Sequence, residues 1–129
     1  LNTMSDIFPK DGVKISYITG EFLEEIGGIE RIRGLSTAQV CRDVLMPITQ
    51  DDRISYCELL RRRGHAAYST HARVFISHAH GYPFEDFLSA VGWLLRDEPD
   101  TVVWIDLFSI NQHEPMDWTF DWLSTTFKS

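Results

Sequence analysis

The sequence lacks most of the features that announce a chemistry. It has two cysteines in 129 residues, Cys41 and Cys57. They show no CxxC spacing and read as reduced, buried thiols of a cytoplasmic protein. Basic residues are the minority, 12 against 19 acidic ones, and the net charge is −7. A nucleic-acid backbone is therefore not an expected partner. The one basic run, Arg61-Arg62-Arg63, reads as a solvated helix end. No apolar run approaches the ~18 residues that span a bilayer, so no membrane is expected either. The amino terminus has no basic region followed by an apolar core, so no signal peptide is visible. The chain opens on Leu1 and not on Met, which suggests a fragment. There is no GxGxxG, no GxxxxGK[ST] and no GxSxG elbow. These absences remove the common phosphate loops and the hydrolase nucleophile.

What is present is an ordinary globular composition, 43% hydrophobic and 24% charged. The length fits one core. The first half is patterned for packing. Val13 to Tyr17 alternates and fits a short strand or an extended arm. Phe22, Leu23 and Ile26 fit one helical face that Gly27-Gly28 ends. Ser36 and Gln39 have capping-box spacing ahead of Val40, Cys41, Val44 and Leu45. Pro47 is expected to stop that helix. Ile54 to Leu60 resumes a helical pattern, closed by the three arginines with Gly64 as the C′ residue. We expect residues 1–69 to be a helical segment without chemistry of its own.

The organising stretch runs from Arg73 to Gln112. Val74-Phe75-Ile76 predicts a strand that ends in the polar run Ser77-His78-Ala79-His80-Gly81. Pro83 to Leu95 predicts a helix. Phe84, Phe87, Leu88, Val91, Leu94 and Leu95 form its apolar stripe. Thr101 to Leu107 predicts a second strand, with no alternation and so with both faces buried, as in a parallel sheet. Such sheets bind ligands beyond the carboxyl ends of their strands. Here those ends are Ser77 to His80 and Asp106 to His113, expected side by side. Two strands alone make no sheet that covers both faces. Completion is expected from strands after Ser129, from oligomerisation, or from the N-terminal arm. Trp93, Trp104, Trp118 and Trp122 read mostly as core, with Trp118 and Trp122 the better candidates for a ligand or partner contact.

His78 and His80 form an HxH pair, and imidazoles two apart on extended backbone face the same way. A metal-dependent hydrolase using this pair is one alternative. Tyr82 and Pro83 stand where the further ligands of an HxHxDH motif belong, and an amidohydrolase barrel needs ~250 residues. A pure protein–protein interaction module, using Phe108 to Phe127 as its surface, is the other alternative.

Arg73 to Ala79 resembles the first strand and loop of Toll/interleukin-receptor (TIR) domains, which open on sequences such as DVFISH. Phe84 to Leu95 and Val102 to Asp106 match that family's first helix and second strand. Asn111-Gln112-His113 and Ser124-Thr125-Thr126-Phe127 are similar to TIR-like domains of algae and protists. The resemblance covers residues 70–129. It implies an α/β fold with a flavodoxin-like parallel sheet, incomplete here and preceded by the helical segment. It implies signalling by self-association with other TIR-like domains, or cleavage of NAD as a substrate, with no cofactor and no resident metal. Ser77, His78, His80, Tyr82, Asp106, Asn111 and Trp118 would then line the nucleotide cleft. The family's catalytic Glu sits on a later helix and is expected beyond Ser129. Neither Glu85 nor Glu114 occupies the matching element, and Glu114-Pro115-Met116 departs from the family's basic, glycine-bearing loop. The fragment is therefore expected to bind but not to turn over.

Overall fold

The computed structural model describes residues 10–76 and 80–113. Ser77, His78, Trp118 and Trp122, and the rest of residues 114–129 with the Ser124-Thr125-Thr126-Phe127 run, lie outside the described residues. The chain is a mixed α/β fold. Its sheet has three strands in the order β1–β3–β2. These are β1 (Val13–Lys14), β2 (Val74–Ile76) and β3 (Val102–Ile105). β2 and β3 are parallel, with Phe75 beside Trp104. β1 lies antiparallel on the other edge of β3, with Val13 opposite Val103. The N-terminal arm thus supplies the third strand. The sheet is mixed rather than wholly parallel, which corrects the expectation. β1 is joined to β3 through most of the chain and not by a single crossover helix, so nothing obliges the two to run parallel.

β3 is the centre. Val102, Val103, Trp104 and Ile105 are all buried, as the unalternating sequence predicts. The strand ends at Ile105, earlier than expected. Asp106 and Leu107 already belong to a short helix, α7 (Asp106–Ser109), closed by the Ile110 N–H bonding to the Asp106 carbonyl at 2.9 Å.

The helices before β2 follow their punctuation. α1 (Ile15–Thr19) and α2 (Glu21–Ile26) lead to Gly27, which ends α2 at φ 112°. That left-handed conformation suits glycine alone among common residues. α3 (Thr37–Val40) starts on the expected capping box. The Gln39 N–H donates to Ser36 Oγ, and the Ser36 N–H donates to the Gln39 amide oxygen. α3 runs into a π-helical turn (Cys41–Leu45) and then α4 (Met46–Thr49). Pro47 does not stop the helix. The π-turn sets it in the first turn of the next helical segment, where a missing N–H costs nothing. α5 (Tyr56–Arg62) is capped by Ser55 and closes at Gly64, φ 82°. The three arginines are held by carboxylates, not merely solvated. Arg61 pairs with Asp11 and Glu58, Arg62 with Asp52 and Glu58, and Arg63 with Glu25.

α6 (Phe84–Leu94) buries Phe84, Phe87, Leu88 and Val91. Leu94 was expected in that stripe but is 73% exposed, and Trp93, expected as core, is 68% exposed. Both sit on the last turn, at or beyond the margin of the face that meets the protein. One hydrophobic cluster joins side chains from both halves of the sequence. Phe22 packs edge-on against Tyr56 and Phe108, with centroids 5.4 and 5.2 Å apart. No helix among the described residues is long and apolar enough to cross a membrane.

Gly12 shows how closely the arm is seated. A Cβ there would overlap the Val103 carbonyl. Gly12→Ala should therefore cost about 1–3 kcal/mol, as overpacking does. Gly92→Ala, whose Cβ would meet only Thr19 Cγ2 at 3.9 Å inside α6, should instead stabilise by about 0.5–1 kcal/mol. Urea denaturation of the two variants measures both. Equal tolerance at Gly12 would mean that β1 is not held against β3.

Candidate functional site

The carboxyl ends of β2 and β3 converge on one pair. His80 follows β2 and Asp106 follows β3. The Nε2–H of His80 donates to Asp106 Oδ2 at 2.5 Å. A carboxylate only accepts, so this bond puts the donor hydrogen on Nε2. Asp106 is 8% exposed. Its other oxygen, Oδ1, accepts the Leu107 N–H at 2.8 Å. The strand thus delivers the carboxylate and the first turn of α7 holds it. The loop bearing His80 is pinned as well. The Ala38 N–H donates to the His80 carbonyl at 2.9 Å, and the Thr37 N–H to the Tyr82 carbonyl at 3.0 Å. Ser36 and Pro83 form an antiparallel bridge. The amino terminus of α3 therefore fixes the loop between β2 and α6. The Ser36–Gln39 cap matters here because it sets where those donors point.

Hydrogen bonding to Asp106 raises the His80 pKa above its ordinary value, against the opposing effect of burial. Cys41, on the π-turn that packs against α7, feels the same carboxylate. Burial first, and then the negative charge of Asp106, push its thiol up to about 11. A protonated thiol is a poor nucleophile. Cys41 thus lies within the field of this carboxylate, and its spacing in the sequence gave no sign of that. Gln112, read only as part of the Asn111-Gln112-His113 run, takes a bracing role. Its amide donates to the carbonyls of Asp106 and Ile110, both at 3.0 Å, and so braces α7 from below.

The remaining expected residues divide. Tyr82, two residues after His80, is 53% exposed and held by its backbone. Asn111 is used differently. Its amide donates to the Arg53 carbonyl at 2.7 Å, and its oxygen accepts the His113 N–H at 3.0 Å. Arg53 returns a bond to the His113 carbonyl at 3.0 Å. His113 Nε2 meets Thr49 Oγ1 at 2.8 Å. Since Thr49 Oγ1 donates to the Leu45 carbonyl, the imidazole is the donor. Asn111 thus clamps the loop after α7 onto the turn where Arg53 holds φ 52°. Ser77, His78 and Trp118 lie outside the described residues. Among the described residues no group of three or more His, Cys, Asp and Glu side chains is arranged to hold a metal ion.

The arrangement provides a proton-carrying imidazole oriented by a buried carboxylate, which is the second half of the nucleophile–base–orienter logic. No family model matches the chain, and no curated protein or solved structure is significantly similar to it.

The pair makes a pH prediction. A His whose folded pKa is raised adds stability that is complete below its unfolded value of about 6.5 and is lost as pH rises through the folded value. The wild type should lose stability relative to Asp106→Asn as pH climbs above about 6.5. In Asp106→Asn the His80 ring should titrate at lower pH than in the wild type, as followed by NMR. Identical titration curves would contradict the pairing.

Proposed function

We propose that the chain is part of a TIR-like signalling domain of flavodoxin-like topology. Its strand-end cleft takes an NAD-type nucleotide, and it works by association with other TIR-like domains in the cytoplasm. The observation that carries this reading is the His80–Asp106 bond of 2.5 Å beyond the carboxyl ends of two adjacent parallel strands. That is where open parallel sheets bind ligands. The motif resemblance from Arg73 onward adds the nucleotide class. An imidazole whose Nε2 is tied to a carboxylate is suited to meet a ribose hydroxyl or a pyrophosphate oxygen, and Tyr82 on the same loop offers an exposed ring.

The same geometry argues for binding over cleavage. Breaking the nicotinamide–ribose bond passes through an oxocarbenium-like state that a free carboxylate stabilises. Asp106 already accepts from His80 and from the Leu107 N–H. It positions the imidazole instead of facing a sugar. Turnover would need a further acid.

Calorimetric titration with NAD tests this, alongside an assay of nicotinamide release. Binding should weaken about tenfold or more in His80→Ala, the loss expected for a charge-assisted hydrogen bond. Release by this chain should stay at background. Equal affinity of wild type, His80→Ala and Asp106→Asn would sink the site assignment. Rapid release would sink the claim that Asp106 is only a positioning group.

A further inference from the structure

The opposite end of the sheet carries a second surface, unrelated to the pair. Trp93 and Leu94, adjacent on the last turn of α6, are 68% and 73% exposed. They are the most exposed large apolar side chains among the described residues. A neighbouring Trp and Leu in water are costly to leave without a purpose, and Trp is the residue type that most often anchors interfaces. The chain then turns tightly into β3. The Arg96 N–H bonds the Trp93 carbonyl, the Glu98 N–H the Leu95 carbonyl and the Thr101 N–H the Glu98 carbonyl. This turn walls an open groove of about 470 Å³. His71, Arg73, Thr101 and Val102 also line it. The apolar pair and one wall of the groove, Asp97 to Val102, thus belong to one continuous run of the chain.

Charge selects the occupant. The turn bears Asp97, Glu98 and Asp100. Among the described residues Asp97 has no ion pair, and Asp100 meets only the Ser16 hydroxyl, at 3.2 Å. Glu98 reaches Arg73 at 3.7 Å, between side chains 61% and 70% exposed, so that pair is weak. Arg96 is laid over the Trp93 ring, 3.9 Å from its centroid. It also donates to the Trp93 carbonyl at 2.8 Å and, among the described residues, forms no ion pair with the acids of the turn. The whole chain adds a net charge of −7. A cationic partner is therefore attracted and an anionic one repelled. A second copy is a poor match. Its one basic run, Arg61 to Arg63, is already spent on Asp11, Glu58, Asp52 and Glu25.

We propose that Trp93, Leu94 and the acidic-rimmed groove beside them dock a basic, amphipathic segment of another protein. The apolar side of that segment covers Trp93 and Leu94. Its lysines or arginines meet Asp97 and Asp100. This surface stands at the amino ends of β2 and β3, so it can be occupied independently of the nucleotide cleft at their carboxyl ends.

The test uses two synthetic amphipathic peptides of equal length, one of leucine and lysine and one of leucine and glutamate. Each is titrated into the whole chain labelled with 15N. The lysine peptide should shift the amides of residues 93–102 and 71–73 in a saturable way. Trp93→Ala should weaken it about tenfold, as loss of an interface anchor does. Asp97→Lys should weaken it too, with the effect shrinking at high salt. Both positions are exposed, and far-UV circular dichroism checks that each variant is folded. Three results would overturn the proposal. The glutamate peptide could bind as well as the lysine peptide. The shifts could map elsewhere or be absent. The chain alone could dimerise through Trp93 on raising its concentration, making a second copy the occupant.

Discussion

Everything in this fold hangs on β3. Among the described residues it is the one strand bonded on both edges, to β1 on one side and β2 on the other. All four of its side chains are buried. Backbone groups at that depth have to find partners within the protein. The sheet supplies them only if the N-terminal arm comes back across some 90 residues of sequence to lie against Val102 and Val103. That pairing is why side chains from both halves of the sequence share one core. It also sets the direction in which Asp106 leaves the strand. A carboxylate at the end of a fully buried strand must be answered by donors, and His80 and the Leu107 N–H answer it.

The loop carrying His80 depends in turn on α3. The Ser36–Gln39 cap satisfies two of the donors at the start of that helix. The next, from Thr37 and Ala38, go to the carbonyls of Tyr82 and His80. A helix start that would otherwise need water is completed by the site loop. The π-turn that follows brings Cys41 within reach of the charge on Asp106 and shifts Pro47 to a harmless place. The site is thus held from the strand side by β2 and β3, and from the helix side by α3.

What was legible in the residues was mostly local. The three-residue spacing of Ser36 and Gln39, the glycines at 27 and 64, and the unbroken apolarity of Val102 to Ile105 each have a short-range cause, and each appears in the structure as read. So does the meeting of His80 with Asp106, because two parallel strands bring their carboxyl ends together. What failed was long-range. Nothing near Val13 says that its partner is Val103. Asn111 looked like a ligand-facing side chain in a polar loop, yet Arg53 and His113 hold both ends of its amide. Cys41 has no motif of its own, and Gln112, though part of the Asn111-Gln112-His113 run, gave no sign that it would bond the Asp106 and Ile110 carbonyls. Trp93 shares its helix with a clean apolar stripe, but one more turn carries it past the protein's edge. The proposed flavodoxin-like topology and TIR-like activity rest on the motif resemblance and on the strand-end geometry. The third strand seen here comes from the arm.

The central claim is that the cleft at the His80–Asp106 pair takes a nucleotide. The most direct measurement is the NMR signal of the His80 imidazole during addition of NAD, with the ring assigned by comparison with His80→Gln. A saturable shift of that resonance, with the other histidine rings of the described chain left in place, is the predicted result. An unmoved His80 ring at NAD concentrations that saturate binding elsewhere on the chain would contradict it.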